Sequence, residues 1–237
     1  EAQFQRLLGA ANEQEALKVL LETGYITQEQ PDPEKASLER RLKAYEAVRS
    51  LTPEPATTDS FLLRNDVNNL KILLKARLLH EEPEGLSPGG TLNTEDLRHA
   101  VSERRYTRLP EALKQAMDAL EKRSATGLDP MEVDVLLDRA LYTLMAQGLS
   151  RSSSKLARAS MTMRADFANL RAFLRLRFLR AGLPLEQVLL PGGEMEARYF
   201  LKGEQSPDAL LNRFGRVYGR PLRELAAHAM EHAAGIS

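Results

Sequence analysis

The chain has 237 residues, and its 33 basic and 33 acidic side chains give a formal net charge of zero. That balance argues against a dedicated nucleic-acid binder, whose footprint is a basic excess. There is no Cys, so disulfides and thiolate metal sites are excluded. No apolar run approaches the roughly 18 residues of a membrane span, and no signal-peptide pattern opens the chain. Ala, Leu, Glu and Arg dominate, aromatic residues are 5% and Trp is absent. Those abundant residues are the strong helix formers, so the chain reads as a soluble, all-α protein.

In chain order, Asn12 before Glu15 predicts a helix cap, and Gly24 predicts a stop. Pro31 to Pro33 reads as a linker, followed by an amphipathic helix over 33–51 with Leu38, Leu42, Tyr45 and Val48 on one face. Thr52 to Ser60, which contains Pro53 and Pro55, reads as a turn before a long helix ending near His80. Pro83 to Gly90 ends that element. Asn93 or Thr94 caps a short helix through Val101, with Glu95 and Asp96 in its first turn. Pro110 starts a further helix, and Thr126-Gly127 is its exit. From Pro130 the apolar series Val133, Leu136, Leu137, Ala140, Leu141 and Leu144 predicts a helix like the one over 33–51, with Tyr142 in the place of Tyr45. A long helix follows from near Ser152 to Arg180, and 207–219 and 221–234 give the last two helices.

Two of these helices carry an internal echo. Phe61 to Leu79 matches Met161 to Leu179 at 64/164, 66/166, 69/169, 70/170, 74/174, 77/177 and 79/179. Average composition would give about one such identity by chance in a stretch of this length. Lys71/Arg171 and Lys75/Arg175 preserve charge, and Pro88-Gly89-Gly90 is echoed by Pro191-Gly192-Gly193. The apolar stripes, Leu63, Val67, Leu70, Leu74, Leu78 and Met163, Phe167, Leu170, Leu174, Phe178, keep one register. The chain is therefore expected to hold two helical units, 1–129 (with 1–32 as its N-terminal part) and 130–237, each of three to four helices packed side by side. Asp66, Asn69, Asp166 and Asn169 lie beside the stripes. They read chiefly as braces against a neighbouring segment, and alternatively as a binding pair. Arg64, Lys71, Lys75, Arg164, Arg171 and Arg175 form the cationic flank and are the candidate partner-contact residues.

Little else resembles a chemical site. His228-Ala229-Met230-Glu231-His232 spells H-x-x-E-H, with two His on one helical face as zinc requires, but no third ligand is evident. Ser152 to Lys155 spells S-x-x-K without its companion motifs, and no Walker or G-x-G-x-x-G sequence occurs. Between Arg151 and Arg180 seven Arg and one Lys face a single acid, Asp166. This is either a solvated face or a contact surface for an acidic partner, anionic headgroups or RNA, and neutral overall charge favours the acidic protein among those partners.

The stretches Leu63-Arg64-Asn65-Asp66-Val67-Asn68-Asn69-Leu70-Lys71 and Arg164-Ala165-Asp166-Phe167-Ala168-Asn169-Leu170-Arg171 resemble the C-type rotor component of the archaeal and bacterial V-type ATPases, the relative of the eukaryotic d-type component. Thr23-Gly24-Tyr25 and the two Pro-Gly-Gly turns add to the likeness. The resemblance implies a funnel-like, three-fold repeated helical protein, of which two units are present here and a third is expected beyond Ser237. It implies a non-catalytic role with no cofactor, in the cytoplasm and peripheral to the membrane through the complex. The expected partners are the central-stalk shaft subunits and the membrane proteolipid ring, with no nucleic acid and no direct membrane span. A helical-repeat adaptor and a metal hydrolase built on His228 and His232 are the alternatives.

Overall fold

A computed structural model describes residues 2–26, 32–124, 127–179, 183–203 and 206–234. The described residues form helices and no strand, so the chain is all-α. They divide into two compact units, 1–55 and 56–237.

The first unit holds α1 (Ala2–Leu8), α2 (Glu13–Glu22) and α3 (Pro33–Leu51). Asn12 caps α2, its Oδ1 accepting from the Glu15 amide at 2.9 Å, while the Glu15 carboxylate reaches past the cap to accept from the Ala11 amide at 2.9 Å. Asp32 caps α3, whose first residue is Pro33, a position where the missing N–H costs nothing. Among its described residues the buried apolar side chains are Val19 and Ile26, and Val48 and Leu51 on α3 are exposed.

The second unit holds α4 (Pro55–Leu79), α5 (Thr94–Ser102), α6 (Glu111–Ser124), α7 (Pro130–Ser150), α8 (Lys155–Leu179), α9 (Leu185–Val188), α10 (Ala197–Gly203), α11 (Pro207–Tyr218) and α12 (Arg220–Ala234). Asn93 caps α5 and Asp129 caps α7, which opens with Pro130 as α3 opens with Pro33. The stretch 52–60, expected to be a turn, is helical from Pro55 onward. Pro55 occupies the first turn, where no donor is needed, and the Ser60 hydroxyl donates to the Ala56 carbonyl at 2.7 Å rather than competing with the helix. The short α9 and α10 have no counterpart in the sequence reading. The exit expected at Thr126 falls outside the described residues.

Two apolar cores fill this unit. The first gathers α4 to α7 and the N-terminal half of α8, with Val67, Leu70, Leu113, Met117, Leu120, Val133 and Leu137 fully buried. The second gathers the rest of α8 with α9 to α12, around Phe173, Phe200 and Phe214. Helix α8 thus serves both cores: Met161 and Ala165 belong to the first, and Leu170 and Phe173 to the second. Arg139 of α7 crosses to the end of α9, where its guanidinium donates to the carbonyls of Glu186, Gln187 and Leu189 at 3.0–3.1 Å. A cation at the carbonyl end of a helix satisfies groups the helix leaves unpaired.

Helix α7 runs antiparallel along α4, and three contacts fix its register. Lys75 meets Asp134, Lys71 meets Asp138, and Ser60 meets Gly148, so α4 numbers fall as α7 numbers rise. At Gly148 an added Cβ would stand 2.2 Å from Ser60 Oγ. The crossing is that close, and a small residue on each helix permits it.

Candidate partner interface

The echoed Asp and Asn side chains point inward. Asp66, Asn69, Asp166 and Asn169 are all buried. Asn69 clamps one residue of the loop that follows α4: its Nδ2 donates to the Ser87 carbonyl at 2.7 Å and its Oδ1 accepts from the Ser87 amide at 2.8 Å. Asn169 makes the same pair with Leu190, at 3.0 and 2.7 Å. Ser87 and Leu190 each immediately precede Pro-Gly-Gly. On the far side of that turn, Asp66 Oδ2 accepts from the Thr91 amide and hydroxyl at 2.8 and 2.7 Å, and its Oδ1 accepts from the Leu92 amide at 3.0 Å. Asp166 Oδ2 accepts from the amides of Glu194 and Met195 at 2.9 and 3.0 Å, and from the Tyr218 hydroxyl.

The Asp and Asn of each copy, one helical turn apart, therefore hold the two shoulders of one Pro-Gly-Gly loop. Buried polar groups demand such pairing. The sequence contained both halves of this device, the Asp-x-x-Asn helix face and the Pro-Gly-Gly echo. Nothing in either half showed that one grips the other.

The two carboxylates differ in one respect. Both oxygens of Asp66 accept hydrogen bonds, whereas Asp166 Oδ1 is buried without a donor among the described residues. Burial pushes both carboxyls above the usual carboxylate range, with the hydrogen-bond donors acting against it. A raised native pKa contributes stability that is complete below the unfolded value of about 3.9 and is lost as pH rises through the native value. An amide mimics the neutral acid. Asp166→Asn can keep its oxygen on the donors and place its NH2 where none points, so it should cost less than about 1 kcal/mol. Its deficit relative to wild type should be largest near the acid end and shrink as pH rises. Asp66→Asn must turn an NH2 against a backbone amide in either orientation and should cost about 2 kcal/mol. Urea unfolding of both variants across mildly acid to neutral pH checks this, and equal losses at every pH would refute it.

The cationic flank also divides. Lys71 Nζ lies 2.7 Å from Asp138 and 3.6 Å from Asp134, and Lys75 Nζ lies 2.8 Å from Asp134. These two candidates are thus already engaged by α7, with side-chain exposures of 16% and 32%. Arg64, Arg164, Arg171 and Arg175 are exposed and form no ion pair among the described residues. Arg164, Arg171 and Arg175 stand seven and four residues apart, on one side of α8.

Around this stripe the surface has an apolar component, because Leu156 is 81% and Met163 39% exposed. They line a groove between α8 and α11 with Ser160, Glu194, Arg213, Arg216 and Val217. On α12, His228 is exposed, while the side chain of His232 lies outside the described residues. Among the described residues no three His, Asp or Glu side chains converge as metal ligands. No described helix is long and apolar enough to cross a membrane.

A family model described as ATP synthase (C/AC39) subunit matches residues 1–234. No curated protein matches significantly.

Proposed function

Because the chain belongs to the ATP synthase (C/AC39) subunit family, whose members are V-type ATPase subunits, we propose that it is the non-catalytic rotor subunit coupling the central shaft to the membrane proteolipid ring. The family match over residues 1–234 carries this reading. In it, residues 1–129 and 130–237 are successive repeat units, and the chain sits peripherally at the membrane through its complex. Torque transmission asks for stiffness, and the cross-braced Pro-Gly-Gly loops and the helix shared between two cores favour it. Partners are gripped through exposed charge, for which Arg64, Arg164, Arg171 and Arg175 are available.

The test is recovery of the tagged chain from membranes of its native host, with mass spectrometry of what accompanies it. Ring and central-stalk subunits are expected. Their absence, with other proteins recovered instead, would replace this reading with a helical-repeat adaptor. Truncating Arg171 and Arg175 together to Ala should reduce that recovery several-fold while shifting stability by less than about 0.5 kcal/mol, as surface substitutions do. Parallel loss of folding and recovery would remove these two residues from the interface.

A further inference from the structure

Two neighbouring leucines mark a seam between the two apolar cores. Leu189 is buried in the second core, and Leu190, the next residue, packs against the first. Attachments of different kinds cross that seam. Helix α8 passes through it unbroken, since it contributes to both cores. The second Pro-Gly-Gly loop, gripped on the α8 side by Asp166 and Asn169, presents Gly192 to α7. A Cβ on Gly192 would stand 3.1 Å from Ala146 Cβ on α7 and 2.8 Å from Met161 Cε on α8, so the loop meets both helices as bare backbone against methyl groups. The remaining attachment is Arg139 of α7, whose Nη1 alone donates to the Glu186, Gln187 and Leu189 carbonyls at 3.0–3.1 Å.

These attachments resist different things. A single helix curves readily along its length, and a glycine against methyl groups, with Leu190 beside it, offers little to interlock. Hydrogen bonds are directional, so three that converge on one nitrogen fix both distance and direction between α7 and α9. They are also easily exchanged. Glu186 and Gln187 are exposed and Arg139 is half-buried, so water takes over donor and acceptors alike when the contact opens. Asp166 and Asn169 are different, because releasing either would leave polar groups unpaired in the interior. We propose that Arg139 is a latch between the two cores. Engaged, it fixes the angle of the second core (α9 to α12 with the C-terminal half of α8) against the first; released, it lets the second core swing about the contact of Gly192 with α7. Every contact in this latch lies within the chain, so it stands whether or not the coupling reading does.

The chain has no Cys, so spin labels go only where a Cys is introduced. Asp118→Cys on α6 with Ala229→Cys on α12 reports across the seam, and Asp118→Cys with Gln147→Cys on α7 reports within the first core. All three positions are exposed. A rigid-body swing of about 15° displaces a label about 20 Å from the joint by about 5 Å. Double electron–electron resonance on the full chain should therefore give a cross-seam distance distribution about twice as wide in Arg139→Met as in the labelled parent. The within-core distribution should stay as it is, and the urea midpoint should move by less than about 0.5 M. Arg139→Lys should return most of the narrow distribution, because the N–H groups of one ammonium suit carbonyls that already share one nitrogen. An unchanged cross-seam width in Arg139→Met overturns the proposal, since apolar contact would then fix the angle alone. Equal broadening of both label pairs, or a larger fall in the midpoint, overturns it too, by making Arg139 a support of the whole fold. A Lys variant as broad as the Met variant removes the three hydrogen bonds as the latch.

Discussion

Gly90→Ala is expected to destabilise the second unit by about 4 kcal/mol, an unusually large loss for the addition of one methyl group. A Cβ on Gly90 would lie 1.8 Å from Asp66 Oδ1 and 2.6 Å from its Cγ. The carboxylate cannot step aside without releasing the amides of Thr91 and Leu92, its partners on the far shoulder of the loop. Overpacking costs about 1–3 kcal/mol, and losing hydrogen bonds to a buried charged group adds about as much again. Gly193 is in the same position, with its Cβ 2.0 Å from Asp166 Oδ1, and Gly193→Ala should behave alike. Asp66→Ala removes the obstruction at the price of the loop contacts. In a double-mutant cycle G90A and D66A should therefore be strongly non-additive, the pair costing less than the sum. A loss below about 1 kcal/mol for G90A in urea unfolding would show that the loop yields and does not clamp.

This close approach explains what the sequence could and could not reveal. Helix α3 and the α5 cap were readable because their causes are local: Asp32 before Pro33 and Asn93 before Glu95 act within one turn. The long helices were readable because a continuous apolar stripe is a one-dimensional signal. The start of α4 was not, since Pro53 and Pro55 imitate a turn while the second of them opens the helix. Helices α9 and α10 span four and seven residues, too few for a period to show. For the candidate interface, the six cations were visible as one charge class. Their sorting into two engaged and four exposed depends on Asp134 and Asp138, which lie 59 to 67 residues from the lysines they meet. A pairing across that distance is set by packing, and no spacing rule exposes it.

The sharpest case of this sorting is an identity within the echo, Arg77 and Arg177, which should respond very differently to the same substitution. Arg77 is only 22% exposed: its Nη1 donates to the Val101 carbonyl at 2.6 Å, and its Nη2 meets Glu121 Oε1. The Tyr106 hydroxyl donates to the same Glu121 oxygen. Glu121 is itself 17% exposed, and burial together with that carboxylate pushes the Tyr106 hydroxyl pKa up. Arg77→Ala leaves Glu121 charged and desolvated, with the Tyr106 hydroxyl and a distant Arg104 at 3.8 Å as its support. Breaking one side of such a pair costs about 3–5 kcal/mol. Arg77→Lys should recover only part of this, because a single ammonium cannot reproduce the fork that reaches Val101 and Glu121 together. Arg77→Met with Glu121→Leu should be far milder than R77A alone, since an apolar pair leaves no buried charge behind. Arg177 is exposed on α8, where solvent screens whatever contact it makes, and Arg177→Ala should cost about 0.5 kcal/mol or less. Urea unfolding of the four variants separates the two arginines, and similar losses for R77A and R177A would mean that the Arg77–Glu121–Tyr106 cluster does not hold α4 to α6.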